Sequence, residues 1–330
     1  MTDEEDVTAQ LLRLAGAPPG PSATRTARVR EQVYTEWRAR QERRKGRRVG
    51  ATALGALAVA AALVIGVWMR PRPEMTTPVG QTIATSQRIQ GRPLLVREGS
   101  GGVERLPLSD SMSIRAGDVL QTDDTSRASL QTRNGSSLRV DTASHVRVIA
   151  PEVIELIAGG AFVATAEGSR GFEVRTSMGS LRDIGTQFEV RLTASSLRLR
   201  VRTGMVEIHR GKDVTAAAAG TETTVTTGGV TIRQTSAYGA EWAWTAALAP
   251  PFMMEGRPLR AFLEHTAIEE GWTLRYADPA VAEAAGRIVL HGSVEGLRAE
   301  EALDVALATS GLEYRLRDGE ILVSRPAPGR

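Results

Sequence analysis

Hydrophobic and polar positions follow three different patterns along the chain of 330 residues. From Val49 to Met69 the sequence has no charged residue, and only Thr52 carries a polar side chain. An α-helix rises about 1.5 Å per residue, so this stretch would extend about 30 Å, the thickness of the hydrocarbon core of a bilayer. The pattern therefore predicts a transmembrane helix at residues 49–69.

Flanking charges predict the orientation of this helix. Residues 37–48 contain seven basic residues and one acidic residue, whereas only Arg70 and Arg72 lie close on the other side. The positive-inside rule then places the N-terminus in the cytoplasm. A cleaved signal peptide, a buried soluble helix and export through the Arg47-Arg48 pair are alternatives. The 48 residues before the apolar run are long for a signal peptide, and no small-residue cleavage site follows the run.

The N-terminal tail, residues 1–48, holds eleven Lys and Arg against seven Asp and Glu. Val29, Val33 and Trp37 recur at i, i+4 and i+8, which forms one apolar stripe on an otherwise charged helix. Two interpretations stay open. The stripe favours a helix that binds in the groove of a partner, and the charge favours a solvated basic stalk.

Polar residues at 70–90 predict a linker, and period-two alternation then predicts an all-β domain at 91–235. The clearest run is Leu-Arg-Leu-Arg-Val-Arg at 197–202, in which the apolar and the arginine side chains face opposite ways. Such strands are expected to have one buried and one wet face. Helical periodicity is absent from this region, and a sandwich, a barrel or a stacked solenoid all fit the pattern.

Glycine-containing turn signals separate the predicted strands. Asn134-Gly135 is the strongest short hairpin signal. Gly159-Gly160, Gly204 and Gly228-Gly229 predict further turns.

A repeated unit follows at 252–325, after a linker at 236–251 that contains two tryptophans. A helical stripe, a glycine and a short strand occur twice, with Gly271 and Gly311 ending the two helices. Leading strands are expected at 252–255 and 288–294, which would complete two βαβ-like units. The predicted fold class is therefore multi-domain, with one transmembrane helix, an all-β domain and a C-terminal α+β domain.

Composition excludes several kinds of chemistry. The chain has no cysteine, so it can form no disulfide and has no thiol nucleophile. No nucleotide-binding loop or hydrolase elbow is present. His265 and Glu269 stand one helical turn apart, but a solvated helix face explains them better than a metal site. We therefore expect no cofactor, no metal, no enzymatic turnover and no direct binding of nucleic acid.

The all-β region resembles the FecR periplasmic domain over residues 117–211. The similarity rests on a Gly-Asp-x-x-x-Thr opening at 117–122, an Asn-Gly-Ser turn, a Phe-x-Val-x-Thr strand at 172–176 and a Gly-Thr-x-Phe-x-Val strand at 185–190. FecR-type proteins are single-pass regulators of extracytoplasmic-function sigma factors. The resemblance implies an inner-membrane protein whose C-terminal domains are periplasmic and whose tail contacts a sigma factor.

Residues 252–325 resemble the short N-terminal domain of secretins and TonB-dependent transducers, the STN domain. This domain is a protein-docking module, which implies an outer-membrane transducer or another envelope protein as partner. Glu241-Trp242 and Trp244 are similar to the tryptophan-containing junction before this domain. The tail departs from the family pattern, because anti-sigma segments are commonly longer and contain several tryptophans.

The same resemblance singles out the bond between Gly185 and Thr186. Some family members cleave themselves at such a Gly-Thr bond, when the threonine hydroxyl attacks the preceding carbonyl and the resulting ester hydrolyses. Gly185 as a strand bend and Thr186 as an ordinary strand residue are the structural alternative.

Three functional hypotheses follow. The first is a transmembrane regulator of an extracytoplasmic-function sigma factor. The second is a structural adaptor of an envelope or secretion complex, anchored by its single helix. A third, glycan or small-ligand binding by the β domain, has no identifiable site.

Overall fold

Alternating apolar positions form the strands of a β domain that begins at Thr82 and ends at Gln234. The computed structural model describes residues 80–99, 101–166, 168–169, 171–183 and 185–326. Among these residues no helix is long and apolar enough to cross a membrane. The tail and the transmembrane helix predicted from the sequence lie outside them.

Two sheets of nine strands each make up the β domain; the first is antiparallel throughout, and the second contains one parallel pair, β9 with β10. In spatial order the first sheet contains β4 (Ser113–Arg115), β1 (Thr82–Gln90), β6 (Arg127–Thr132), β7 (Ser137–Val140), β9 (Val153–Ala164), β12 (Gln187–Leu192), β13 (Ser196–Thr203), β16 (Thr221–Thr226) and β17 (Gly229–Gln234). The second contains β3 (Gly102–Pro107), β2 (Leu94–Gly99), β5 (Val119–Gln121), β8 (His145–Ala150), β9 again, β10 (Glu173–Thr176), β11 (Gly179–Asp183), β14 (Met205–Arg210) and β15 (Asp213–Ala218).

Consecutive hairpins alternate between the two sheets, so the chain winds back and forth around one shared core. Leu138 and Leu199 of the first sheet and Leu120 and Val206 of the second are fully buried in the same apolar cluster. The absence of helices between residues 94 and 233 is confirmed for the described residues. The prediction of an all-β domain is also confirmed.

Strand β9 belongs to both sheets, and its glycine pair makes this possible. Its first half pairs with β8 and β10, and its second half pairs with β7 and β12. The crossing occurs at Gly159, where φ is +85° and a Cβ would lie 2.3 Å from Ser144 Oγ. The sequence predicted a turn at Gly159-Gly160. Instead the glycines let one continuous strand change sheets.

Other local expectations have mixed outcomes. The hairpin at Asn134-Gly135 is confirmed, because it joins β6 to β7 and Gly135 has a φ of +85°.

Strand β1 occupies residues 82–90, where the polar composition predicted a linker. Its inward positions are Ile83, Ala84 and Ser86, and this modest apolar content was enough because β1 pairs with both β4 and β6.

The C-terminal α+β domain packs three helices on a three-stranded sheet. Its elements are α2 (Leu259–Glu270), β18 (Thr273–Tyr276), α3 (Pro279–Arg287), α4 (Ala299–Leu307), β19 (Glu313–Arg317) and β20 (Glu320–Ser324), with β20 between β18 and β19. The repeated order of helix, glycine and strand is confirmed. Gly271 follows α2 with a φ of +73°.

The two leading strands expected at 252–255 and 288–294 were wrong, as was the βαβ repeat that they would have completed. No strand forms in either segment, and the ladder between them is limited to one isolated antiparallel bridge, between Pro258 and Val289. Pro258 has no backbone N–H to extend a ladder, and both Met253 and Val289 are more than half exposed. Helix α3 occupies part of the intervening chain and was not predicted.

Residues 236–249, which we call the strap, connect the two domains along the outer face of the first sheet. The strap contains a 3-10 turn at Ala240–Trp242 and the short helix α1 at Ala243–Ala247. It covers the arginine face of β13, which the sequence predicted to be wet. Arg200 and Arg202 are in fact buried, at 6% and 3% exposed.

Candidate functional site

The bond between Gly185 and Thr186 lies in the loop that joins β11 to β12. Because β11 belongs to the second sheet and β12 to the first, this loop crosses from one sheet to the other. Gly185 is exposed and has a φ of +66°, in the left-handed region that favours glycine. Thr186 is only 2% exposed. The predicted cleavage bond therefore joins an exposed residue to a buried one.

Hydrogen bonds fix the side chain of Thr186 against a carboxylate. The Thr186 hydroxyl donates to Asp183, with 2.8 Å between Oγ1 and Oδ2. The hydroxyl of Thr165 donates to the same carboxylate oxygen at 2.9 Å and accepts the backbone N–H of Thr186 at 2.7 Å. The other oxygen of Asp183 accepts a hydrogen bond from the backbone N–H of Phe172. The carboxylate is thus held in one orientation toward Thr186.

Gly204 packs against the same bond from the crossing between β13 and β14. A Cβ at this position would lie 2.7 Å from the carbonyl oxygen of Gly185 and 2.5 Å from Cγ2 of Thr186. Gly204 also has a φ of +76°. Only a residue without a side chain allows this approach. Gly204, which the sequence predicted to mark a turn, therefore also shapes the Gly185–Thr186 loop.

This arrangement has the parts needed for attack by a hydroxyl. A general base must lie within about 2.6–3.2 Å of the proton that it removes. Asp183 satisfies this distance for the Thr186 hydroxyl, and Gly185 presents little steric bulk at the carbonyl that would be attacked. Sequence reasoning identified Gly185 and Thr186 but missed Asp183 and Thr165. Asp183 could have been found in the sequence because it precedes Thr186 by only three residues. Thr165 could not, because it follows the end of β9, about twenty residues earlier in the chain.

The remaining candidate residues are not brought into this site. Val29, Val33 and Trp37 lie in the tail, outside the described residues. Glu269, one helical turn from His265, is an ion-pair partner of Arg139 in the β domain. Within residues 80–326, as far as they are described, no group of three side chains could hold a metal ion.

A second cluster, which the sequence did not predict, lies where α2 meets the β domain. We call Arg139 of β7 and Arg202 of β13 the arginine clamp. Arg139 is fully buried, and its Nη2 lies 2.6 Å from Oε2 of Glu269. Nη1 of Arg139 donates to the backbone oxygen of Thr245 in the strap at 2.7 Å. Arg202 donates from Nη1 to the backbone oxygen of Glu269 at 2.8 Å.

Aromatic rings complete the surroundings of the arginine clamp. The guanidinium of Arg202 lies 4.4 Å from the ring centre of Trp242 and 5.6 Å from that of Phe162. Phe162 and Trp242 meet edge to face at 6.2 Å. Burial lowers the pKa of Arg202 to about 10, and burial likewise raises the pKa of Glu270 beside it. The clamp therefore carries charge in a poorly hydrated place.

Comparisons with known proteins apply to part of this chain. No curated protein matches it. Two crystal structures of a putative anti-sigma factor from Parabacteroides distasonis ATCC 8503, at 2.50 Å and 1.65 Å resolution, are each 18% identical to it with a TM-score of 0.35, and each alignment covers 63% of this chain and 99% of the other. Residues 118–207 match the family model described as FecR protein. The stretch from β5 into β14, which includes the Gly185–Thr186 loop and both arginines of the clamp, is therefore FecR-like.

Proposed function

We propose that this protein is a single-pass regulator that relays an envelope signal to an extracytoplasmic-function sigma factor. The observation that carries the proposal is the FecR match over residues 118–207, which lies wholly inside the β domain. The order of predicted segments supports it, because a basic tail, an apolar segment and a folded C-terminal part are what a signal across a membrane requires.

In this proposal the apolar segment at 49–69 spans the inner membrane. The basic residues before it keep the tail in the cytoplasm, and the β and α+β domains lie in the periplasm. The stripe of Val29, Val33 and Trp37 binds the sigma factor as a helix in a groove. The STN-like α+β domain receives the signal from an outer-membrane transducer or another envelope protein.

The first test locates an extracytoplasmic-function sigma factor gene beside this one in the source genome and uses its product as the probe. The full chain, with an affinity tag, is purified from cells that also express that sigma factor, and the Trp37→Ala variant is compared with Trp244→Ala as a matched control. We expect stoichiometric capture by the wild type and by the control and at least about tenfold less by Trp37→Ala, since a buried aromatic anchor commonly contributes more than 1.4 kcal/mol to binding. Absence of capture by an intact wild-type chain would reject sigma binding and favour the envelope adaptor.

We further propose that the chain cuts itself once, between Gly185 and Thr186. The specific observation in favour is the 2.8 Å hydrogen bond from the Thr186 hydroxyl to Asp183. Asp183 accepts the hydroxyl proton as Oγ1 attacks the carbonyl carbon of Gly185 and a C–O bond forms. It then returns this proton to the nitrogen of Thr186 as the C–N bond breaks, which leaves a free amine on Thr186 and an ester between Gly185 and the threonine oxygen. Water then hydrolyses the ester, which regenerates the hydroxyl and gives Gly185 a free carboxylate.

Intact mass and N-terminal sequencing of the purified full chain test the cut. We expect two fragments, the second beginning at Thr186, in the wild type and in Thr186→Ser. Thr186→Ala should stay whole because it has no nucleophile, and Asp183→Asn should be cut at least about a hundredfold more slowly, as is typical for loss of a general base. Thr193→Ala is the matched control on the neighbouring hairpin. A wild-type chain that stays whole, or a cut that persists in Thr186→Ala, would reject the proposal.

A further inference from the structure

The interface between the β domain and the α+β domain has the charged arginine clamp at its centre, beside the buried rings of Phe162 and Trp242. Each domain has its own buried apolar cluster, and in the described part of the chain the two clusters share no residue. The direct side-chain bonds from the β domain to α2 come from the arginine clamp and go to Glu269. Separating the domains would therefore leave both apolar cores intact.

The arginine clamp is only partly satisfied when the domains are docked. Nε of Arg139 and both Nε and Nη2 of Arg202 are buried and have no hydrogen-bond partner among the described residues. A buried donor without a partner carries a desolvation cost, and a buried ion pair can cost more in lost hydration than its attraction returns. In the undocked state these guanidinium groups and the carboxylate of Glu269 would regain water. Regained hydration therefore offsets part of the free energy that the clamp contributes to docking.

Close packing makes the docked state a single defined position. At Gly271, directly after α2, a Cβ would lie 2.0 Å from the backbone oxygen of Ala237 in the strap. At Gly319 a Cβ would lie 2.2 Å from the ring of Tyr238, also in the strap. Such contacts allow no gradual sliding, since packed surfaces change between discrete arrangements. The domain either sits in this position or leaves it.

We propose that the arginine clamp is a latch between two states of the periplasmic part, one with the α+β domain docked on the β domain and one with it released. Release breaks the bonds from Arg139 and Arg202 to Glu269 and leaves both domains folded. A partner that binds the released α+β domain needs only a small difference in affinity between the two states to open the latch. This proposal does not depend on the sigma factor or on the cut at Gly185.

The distance between two spin labels on the full chain tests the latch. Because the chain has no cysteine, Ser195→Cys on an exposed β-hairpin and Ala280→Cys on exposed α3 give one label in each domain. The double-cysteine chain is measured in detergent by pulsed electron resonance. Arg202→Met and Glu269→Gln are added separately to open the latch. Arg198→Met is the matched control, because it lies on the same strand and pairs with Glu189 of the β domain.

We expect one dominant distance and a small longer-distance population in the wild-type background. Arg202→Met and Glu269→Gln should each raise the ratio of released to docked molecules at least about tenfold, which corresponds to about 1.4 kcal/mol. Arg198→Met should leave the ratio as in the wild type. Circular dichroism shows whether each variant is folded, and Glu269→Gln, at a partly exposed carboxylate, is the variant that keeps the test decisive if Arg202→Met unfolds. A folded Glu269→Gln chain with the wild-type distribution would overturn the latch, as would an equal change in Arg198→Met.

Discussion

Gly204 gives the sharpest test of how the loop before β12 is packed. In Gly204→Ala the new methyl group would lie 2.7 Å from the carbonyl oxygen of Gly185 and 2.5 Å from Cγ2 of Thr186. Gly211→Ala is a matched control in the next turn, because Gly211 also has a positive φ, +58°, yet has no neighbouring atom within 4 Å. The two substitutions thus differ mainly in steric overlap.

The two variants share two contributions to the free energy of unfolding and differ in a third, the steric overlap at position 204. Both variants place alanine in the left-handed region, at about 1–2 kcal/mol, and both gain about 0.4–1 kcal/mol from a less flexible unfolded chain. These contributions cancel in the comparison. Overlap at position 204 adds about 1–3 kcal/mol, as is usual for overpacking. The free energy of unfolding should therefore be about 1–3 kcal/mol lower for Gly204→Ala than for Gly211→Ala.

Thermal melting of the full chain in detergent, followed by circular dichroism at the β-sheet band, measures this difference. For a domain of this size each kcal/mol lowers the melting temperature by about 2–4 °C. Gly204→Ala should consequently melt roughly 2–12 °C below Gly211→Ala. Equal melting temperatures would refute the reasoning, since they would mean that the Gly185–Thr186 loop can move away from position 204 at no cost.

Two further predictions concern buried side chains of the β domain and the strap. Burial of Asp141 opposes ionisation, but hydrogen bonds from Arg127 and Arg191 outweigh it and lower the pKa of the carboxyl. The stability that Asp141 contributes is present above the ordinary aspartate pKa, about 4, and is lost as the pH falls through the lower folded value. Urea midpoints between about pH 2 and pH 6 should show a smaller acid loss in Asp141→Asn, and an unchanged slope would contradict this. Trp242→Ala should cost about 3–5 kcal/mol, as for other large buried aromatics, and Trp244→Ala, at a less buried position, should cost clearly less in the same urea titration.

Local patterns in the sequence predicted those strands and helices in which the spacing of apolar residues alone decides which face is buried. The run at 197–202 is a strand with its apolar residues in the core, and the helix that precedes Gly271 ends there. The burial of Arg200 and Arg202 could not be predicted in the same way. It depends on the strap and on α2, which come from parts of the chain at least 30 residues further on.

Long-range packing also explains what was missed at the candidate site. Gly185 and Thr186 stood out as neighbours in the sequence, and Asp183 is close enough to have been considered with them. Thr165 reaches the site only because β9 crosses between the sheets, and Gly204 only because β13 ends beside the loop. A single sequence does not contain the sheet order that brings these residues together.

The position of the Gly185–Thr186 bond has a mechanical consequence. A chain divided there would consist of one piece ending with β11 and another starting with β12, yet β9 pairs with β12 and β11 pairs with β14 along their lengths. The two pieces would stay together as one body, joined by rows of backbone hydrogen bonds instead of a covalent link. Tension between the two ends of the chain would then fall on strand pairing. Such a joint would open by the loss of backbone hydrogen bonds, without the breaking of a covalent bond.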